Sequence, residues 1–226
     1  MCAECEFRTL RMFCNLTDEA LADFNRLGVQ RSAPQGTRLF AEDDPSGDTF
    51  VLCQGQVKLS CSSRDGRTLL LKIAMPGEVL GLGAVVSGAK YEVTAEALEP
   101  VEVKQVSRAE FLAFLARHAE AGVHAAKALS SEYKAAFVDV RRLALSQSAA
   151  SRLAGLLLEW AGSADCNPAR THFTLALTHD ELASMVGTTR ETVTRVLSRF
   201  RRDGLIRLDG NTLWLLDTRR LEQLAA

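Results

Sequence analysis

Residues 177–197, LTHDELASMVGTTRETVTRVL, contain two short amphipathic patterns with helical spacing that are separated by a single turn. Thr178 is followed three residues later by Glu181, which forms a capping box and predicts that a helix begins at Asp180. Gly187 is expected to end this helix, because glycine readily adopts the left-handed backbone conformation that closes helices. The stretch therefore predicts a helix-turn-helix of the kind that reads the DNA major groove.

The second helix of this pair is expected to begin almost at once, because Thr188 and Glu191 repeat the capping box. Apolar residues at helical spacing form the predicted inward faces, Leu182, Met185 and Val186 in the first helix and Val193, Val196, Leu197 and Phe200 in the second. The candidate DNA contacts lie at the caps and on the outward face: Thr178, Thr188, Thr189, Arg190, Glu191, Thr194, Arg195 and Arg199. A solvated helix pair in an all-α domain that does not bind DNA is the alternative.

A small hairpin is predicted directly after the helix pair, because short alternating apolar runs flank Asp209-Gly210-Asn211. A helix-turn-helix followed by such a hairpin is a winged helix. Residues 186–207 also hold six arginines against Glu191 and Asp203, whereas the net charge of the whole chain is −1. Positive charge is thus concentrated where phosphates would be met, although the arginines at 199, 201 and 202 could only complement the helix dipole.

The composition is that of a folded chain with two domains, with 226 residues of which 47% are hydrophobic. No apolar run approaches the roughly 18–20 residues that a membrane span needs, and the N-terminus has no apolar targeting stretch. We therefore expect a cytoplasmic protein with no membrane partner. The six cysteines are then expected to be reduced thiols or metal ligands and not structural disulfides.

Strand-like alternation extends over residues 36–106. Short strands at this spacing favour an antiparallel roll or barrel, which could bind a ligand, a partner or nothing. The predicted elements are strands at 49–60 (with a break at Gly55), 68–73 and 101–106, and turns at 64–67 and at Pro76-Gly77-Glu78.

A long helix is predicted over residues 120–145, a stretch without proline and without glycine after Gly122. Its residues at alternating spacings of three and four form a seam typical of a coiled coil: Val123, Ala126, Ser130, Tyr133, Phe137, Val140 and Ala144. The seam predicts a dimerisation helix, because a winged helix that reads a palindrome is expected to work as two copies. The alternative is a helix that packs on its own β domain.

The order of β-roll, long helix and winged helix resembles one family, the catabolite-activator and fumarate-nitrate regulators (CRP/FNR). The resemblance extends from about residue 10 to 224, and its motifs are residues 49–59 with Gly55, residues 76–81 (PGEVLG), Arg152-Leu153-Ala154 and residues 189–195 (TRETVTR). It implies an α+β fold with an antiparallel, cyclic-nucleotide-binding-like β-roll at 1–117, a dimerisation helix at 118–145 and a winged helix-turn-helix at 146–226. It also implies a homodimer that binds palindromic double-stranded DNA, contacts RNA polymerase and regulates transcription in response to a signal at the N-terminal domain.

The resemblance also implies roles for individual residues of the second helix. The positions that match Glu191 and Arg195 read a G·C pair inside a TGA core, and the chemistry agrees, because arginine bonds guanine bidentately and glutamate accepts from the cytosine amine. Arg190 matches an extra arginine of the catabolite-activator branch, which reads a second guanine in GTGA half-sites. The anaerobic branch lacks this arginine and has a serine where Thr194 stands. We therefore expect GTGA half-sites to be preferred over TTGA.

The ligand-binding motif departs from the cyclic-nucleotide branch at three places. Leu82 stands where a glutamate binds the ribose hydroxyl, and Tyr91-Glu92 stands where an Arg-Ser pair binds the cyclic phosphate. The Thr-Ser pair of the dimer helix falls near Phe137 and Val138. These departures predict that cyclic AMP is not the effector, which stays unidentified. The candidate effector-pocket residues are Gly77, Glu78, Leu82, Tyr91, Glu92 and Phe137.

Cys2, Cys5 and Cys14 form a C-x2-C-x8-C run that resembles the cluster region of the oxygen-sensing branch. Thiolates in such a run can hold an iron–sulfur cluster. The run departs from the branch because Arg11 occupies the third cysteine position and the strand around Lys104 supplies no fourth cysteine. An iron–sulfur cluster, a zinc or thiol–disulfide switch, and reduced thiols in a mobile arm are the open interpretations, so the cofactor is unknown.

Two classes of function follow from these patterns. The first is a sequence-specific DNA-binding transcription regulator, with a redox or gas input at the N-terminal cysteines as one form of it. The second is a sensor or interaction module that is built on the β-roll and does not bind DNA specifically. An enzyme is not expected, because the sequence shows no catalytic carboxylate pair, no recognisable Ser/His/Asp order and no phosphate-binding glycine loop followed by Lys-Ser/Thr.

Overall fold

The computed structural model describes residues 13–62, 68–145, 148–163, 172–174, 177–210 and 212–225. The chain divides into two compact units, Met1–Lys134 and Ala135–Ala226. The three-part division that we expect at 1–117, 118–145 and 146–226 stays a prediction. Among the described helices, none combines the length and the apolar character that crossing a membrane requires.

The described part of the first unit contains two four-stranded antiparallel sheets, which confirms the predicted β-roll. Its strands are β1 (Val29–Ala33), β2 (Arg38–Phe40), β3 (Asp48–Gln54), β4 (Val57–Ser62), β5 (Thr68–Ala74), β6 (Val79–Leu80), β7 (Thr94–Ala97) and β8 (Val101–Ser107). The strand orders are β1-β8-β3-β6 in one sheet and β2-β7-β4-β5 in the other. The helices are α1 (Asp18–Arg26), α2 (Leu82–Ser87), α3 (Arg108–Arg117) and α4 (Ala119–Leu145), whose last part belongs to the second unit.

Strand β3 is buried on both faces, which explains its uninterrupted apolar run. Phe50 and Leu52 belong to the core inside the roll, whereas Val51 belongs to a second core that includes residues of α1, α2, α3 and the start of α4. Successive strand residues point to opposite faces, so one short segment contributes to both cores.

Gly55 divides the predicted strand at 49–60 into β3 and β4, as the glycine break indicated. Its φ is +79°, and a Cβ atom there would lie 2.5 Å from the carbonyl oxygen of Pro100. Only glycine fits this position. The predicted strands at 68–73 and 101–106 are present as β5 and β8, and the predicted turn at 64–67 lies outside the described residues.

Polar contacts join α1 and its N-cap to the junction between α3 and α4. The backbone N–H of Thr17 donates to Glu120 at 2.9 Å, and Asp23 lies 3.0 Å from His118 Nε2 and 3.5 Å from Arg117. The hydrogen bond from His118, followed by that from Arg117, holds the pKa of Asp23 below its ordinary value. His118 has an extended backbone and separates α3 from α4, so α4 begins at residue 119, between the two expected starts at 118 and 120.

The second unit carries the predicted winged helix-turn-helix. After α4 it contains α5 (Ala149–Ser163), β9 (His172–Thr174), α6 (His179–Met185), α7 (Arg190–Arg202), β10 (Ile206–Asp209), β11 (Thr212–Leu215) and α8 (Thr218–Ala225). Strands β10 and β11 form the predicted hairpin, although Asn211 of its turn lies outside the described residues. Strand β9 pairs with β11 and was not predicted, because three residues give no usable alternation and the partner strand is distant in sequence.

Candidate nucleic-acid interface

A reciprocal capping box fixes the start of α6. The hydroxyl of Thr178 accepts from the backbone N–H of Glu181 at 3.2 Å, and the Glu181 carboxylate accepts from the backbone N–H of Thr178 at 2.9 Å. Because a cap immediately precedes the first helical residue, a cap at Thr178 makes His179 the first residue of α6. The expected start at Asp180 is therefore wrong by one residue.

The turn between the helices is closed by Gly187, which has a φ of +60°, as the sequence predicted. The N–H of Gly187 donates to the carbonyl of Ser184 at 3.2 Å, and the N–H of Thr188 donates to the carbonyl of Ala183 at 2.9 Å. Thr188 thus belongs to the turn.

Thr189, and not Thr188, is the N-cap of α7, so the predicted second capping box with Glu191 is wrong by one residue. The Thr189 hydroxyl accepts from the backbone N–H of Thr192 at 3.3 Å. Two adjacent threonines offer equivalent capping groups in the sequence. The hydrogen bond that Thr188 makes within the turn decides between them.

Arg152 of α5 braces this turn. Its Nε donates to the carbonyl of Val186 at 2.6 Å, and its guanidinium also reaches the carbonyl of Gly187 at 3.3 Å. Arg152 lies in a family motif, but its role was not predicted because only the packing of α5 against the turn reveals the contact.

The two helices bury the faces that their periodicity predicted. Buried residues are Leu182 and Met185 in α6, Val186 at its C-cap, and Val193, Leu197 and Phe200 in α7, while Val196 is half-buried. The candidate DNA contacts lie on the other side: Thr178, Thr189, Arg190, Glu191, Thr194, Arg195 and Arg199 are exposed, and Thr188 is half-buried. Their contact with DNA stays a prediction.

Two side-chain contacts connect the first turn of α6 with the beginning of α7. The guanidinium of Arg190 lies 3.6 Å from the carboxylate of Asp180, and both side chains are exposed. His179 Nδ1 lies 2.8 Å from the hydroxyl of Thr194, which in turn donates to the carbonyl of Arg190 at 2.9 Å. These contacts of His179 and Asp180 were not predicted, since both look like ordinary polar residues at a helix start in the sequence.

Glu191 and Arg195 present opposite charges one turn apart. Hydrogen bonds from its own backbone N–H and from Thr189 hold the pKa of Glu191 below its ordinary value, and the charges of Arg190 and Arg195 lower it further. Arg195 is steadied by a 3.3 Å hydrogen bond to the hydroxyl of Thr192. The pair therefore offers an ionised acceptor and a forked donor, which match the exposed edges of cytosine and guanine.

Asp203 contacts several arginines at the end of α7. Its carboxylate lies 3.4 Å from Arg199 and 3.9 Å from Arg202, and its backbone carbonyl accepts from Arg220 of α8 at 3.4 Å. Arg199 is thus an exposed cation with a partner already beside it.

An aromatic contact also holds an arginine of the hairpin in place. Arg207 lies over the ring of Trp214 at 5.0 Å from its centroid, and His172 of β9 stacks on the same ring at 4.2 Å. A cation–π contact of this kind holds the guanidinium in place. Less side-chain entropy is then lost if Arg207 contacts a phosphate.

The seam of α4 is exposed at every position whose side chain is described: Val123, Ala126, Ser130, Tyr133, Phe137 and Val140. The four large apolar members are between 52% and 66% exposed. Ala121 and Ala125, on another face, pack into the core of the first unit. Packing on its own domain therefore accounts for one face of α4 and not for the seam. The side chain of Ala144 lies outside the described set.

The candidate effector-pocket residues are largely engaged in internal contacts. Leu82 is buried. The hydroxyl of Tyr91 donates to the carbonyl of Asp48 at 2.6 Å, and its ring stacks on Phe40 with centroids 4.1 Å apart. A Cβ atom at Gly81 would lie 2.7 Å from the Tyr91 ring, so this glycine makes room for the tyrosine.

The remaining polar groups of this region are mostly acidic. Glu78, which follows the turn at Gly77, forms an ion pair with Lys72. Glu132 on α4 is exposed to solvent, yet desolvation by the neighbouring protein raises its pKa; the Lys72 ammonium opposes this, while Glu78 and Glu92 raise the pKa further. Three carboxylates against one lysine disfavour an anionic ligand. Phe137 lies exposed on α4.

The proposed metal ligands fall mostly outside the described residues, since Cys2 and Cys5 lie there. Cys14 is described and is 5% exposed. Within the described ranges, no group of three or more His, Cys, Asp or Glu side chains is placed to hold a metal ion. The N-terminal metal site stays a prediction.

Comparison with known proteins matches both units. Residues 30–118 match the model of the cyclic nucleotide-binding domain, and residues 151–224 match the Crp-like helix-turn-helix domain. The transcriptional regulator SdrP of Thermus thermophilus is 32% identical over 80% of this chain and 85% of its own length. The nitrogen fixation regulation protein FixK of Bradyrhizobium diazoefficiens is 28% identical over 100% of this chain and 94% of its own. The structure of FixK2 from Bradyrhizobium japonicum covers 88% of this chain and 98% of its own with a TM-score of 0.79 at 23% identity, which supports the fold.

Proposed function

The chain belongs to the CRP/FNR family of transcription regulators and carries a helix-turn-helix DNA-binding domain, and we propose that it acts as a homodimer that reads palindromic GTGA-type sites. Its relatives are regulators and not enzymes. The observation that carries the proposal is the outer face of α7, where Arg190, Glu191 and Arg195 are exposed beside the positive end of the helix. By family resemblance, we also propose that the DNA-bound dimer contacts RNA polymerase.

The exposed seam of α4 supports the homodimer. Four large apolar side chains more than half exposed along one helix are unfavourable in water, and pairing with the same seam of a second copy would bury them. Phe137→Glu places a charge in this seam, and we expect a monomer in sedimentation velocity at micromolar concentration. Ser131→Glu, off the seam on the same helix, is the matched control and should stay dimeric. A Phe137→Glu protein that is still dimeric would show that the dimer interface lies outside the seam of α4.

Arg190 supports the preference for GTGA over TTGA. Fluorescence anisotropy with the two palindromes, at fixed salt, should show tighter binding to GTGA by the wild-type protein. Arg190→Ala should remove most of this preference, because a bidentate arginine–guanine contact contributes about 1–3 kcal/mol of discrimination. Equal weakening on both palindromes would make Arg190 a phosphate contact instead.

The acidic effector region supports an input other than cyclic AMP. Leu82 and Tyr91 are engaged in the core and Glu78 is paired with Lys72, so the groups that a cyclic phosphate requires are replaced by apolar and acidic ones. Saturating cyclic AMP should leave DNA affinity unchanged. Strictly anaerobic purification followed by a visible spectrum with iron and sulfide analysis, with Cys5→Ser beside the wild type, tests the redox input at Cys2, Cys5 and Cys14.

A further inference from the structure

The hydroxyl of Thr194 is fully engaged within the helix-turn-helix. It donates to the carbonyl of Arg190 at 2.9 Å, and it lies 2.8 Å from His179 Nδ1. A hydroxyl has one proton, and here that proton points to the Arg190 carbonyl. The contact with His179 must then be a hydrogen bond in which Nδ1–H donates and the threonine oxygen accepts.

These two hydrogen bonds fix the rotamer of Thr194. A threonine side chain on a helix divides between two χ1 wells, and a free hydroxyl can turn to suit whichever base lies opposite. With one bond to its own helix and one from α6, the oxygen is held toward the protein. Thr194 is nevertheless exposed and lies between Arg190 and Arg195 on the predicted reading face.

We infer that Thr194 reads a thymine through its methyl group, and that His179 is the positioning residue that withholds the hydroxyl from the DNA. In the major groove only thymine presents a methyl group, and the methyl of threonine is a recognised apolar partner for it. A free hydroxyl accepts or donates and so tolerates several bases. The contact with His179 converts an ambiguous side chain into one that favours thymine. This inference rests on the proposed function, because it requires that α7 lies in the major groove.

The test adds and removes single methyl groups in a GTGA palindrome. At each half-site position, in both half-sites, thymine is compared with uracil, and 5-methylcytosine is compared with cytosine. A methyl contact gives the same gain in both comparisons at one position, about fourfold per half-site from the burial of one methyl group. A hydroxyl contact to the base edge gives no gain in either comparison and depends only on whether the base presents a keto or an amino group.

Protein variants assign the effect to Thr194. Thr194→Val keeps a methyl group and should retain the methyl-dependent gain, whereas Thr194→Ser keeps only the hydroxyl and should lose it. Retention of the gain by Thr194→Ser, or its absence from the wild-type protein, would overturn the inference. Specific binding of the palindrome by the wild-type protein reports on the proposed function separately, so the two failures are distinguishable.

Variants of His179 test the positioning role. His179→Phe removes the donor, so the hydroxyl can turn; the methyl-dependent gain should fall, and a difference between uracil and cytosine should emerge. His179→Asn offers an amide N–H near the place of Nδ1–H and should restore the wild-type pattern. If His179→Phe only weakens binding to all sequences equally, His179 has a structural role and not a positioning one.

Discussion

The outer face of α7 and the candidate effector region of the β-roll both lie at positions of family motifs, but their side chains have different surroundings. On α7, Arg190, Glu191 and Arg195 are exposed, and their contacts steady them without covering them. In the roll, Leu82 is buried and Tyr91 is buried and hydrogen-bonded to the backbone of Asp48. Positions that match a family's binding motif are therefore open to contact on α7, whereas in the roll they hold replaced residues that pack internally, and only the surroundings of each side chain distinguish the two cases.

Removal of Arg195 from the outer face of α7 should have the largest effect, a loss of specific DNA affinity. Arg195→Ala loses a predicted bidentate contact with guanine, which should cost about 1–3 kcal/mol per half-site in specific binding. Anisotropy titrations with the GTGA palindrome and with a scrambled duplex measure the loss. Arg201→Ala, an exposed arginine of the last turn of α7, is the control and should weaken binding to both duplexes to the same extent. An equal loss on both duplexes for Arg195→Ala would contradict base reading.

The second change removes a support of the turn between α6 and α7 and leaves the outer side chains of α7 in place. Arg152→Ala removes charged hydrogen bonds to the carbonyls of Val186 and Gly187, which should cost about 1.5–3 kcal/mol in the free energy of unfolding. Both tryptophans, Trp160 and Trp214, lie in the second unit, so their fluorescence reports its denaturant unfolding. An unchanged midpoint would show that the turn holds its form without Arg152.

The third change tests the contact between the start of α6 and the outer face of α7. Asp180→Asn removes the 3.6 Å ion pair with Arg190 and a negative charge at the start of α6, the helix that crosses the DNA backbone in this motif. Since an exposed pair is worth about 0.2–1 kcal/mol, affinity for GTGA should rise by up to about fivefold, with little change in preference. A reduced preference for GTGA would instead mean that Asp180 orients Arg190 for base reading.

The smallest effect is expected in the first unit, as a pH dependence. Hydrogen bonds from His118 and Arg117 lower the pKa of Asp23, so its contribution to stability is present above the ordinary pKa of an aspartate and is lost as the pH falls through the lowered value. Asp23→Asn should increase amide hydrogen exchange over residues 18–26 at pH 6, and the difference from the wild type should shrink as the pH falls below the ordinary pKa of an aspartate, about 3.9. A difference that does not shrink as the pH falls below that value would mean that packing, and not charge, holds α1.

The sequence predicted the helix-turn-helix well because its signals are local. Capping residues, a terminal glycine and helical periodicity all lie within or directly beside the helices that they define, and errors were limited to single residues at the start of α6 and at the Thr188-Thr189 pair. The roll was predicted from strand alternation and turn residues in the same way.

The rest could not be predicted because it depends on contacts between segments that are distant in sequence. Strand β9 exists through its pairing with β11, and Arg152 acts on a turn more than thirty positions away. The link between His179 and Thr194 requires the packing of α6 against α7. No periodicity encodes such pairs, so single-residue roles inside a correctly predicted motif were missed.

Selection of binding sites from a random duplex library by the purified full-length protein tests the central claim most directly. The account predicts an enriched palindrome with two GTGA half-sites whose centres lie about one helical turn, or a multiple of it, apart. Enrichment of TTGA without GTGA, of single unpaired half-sites, or of no motif at all would contradict it.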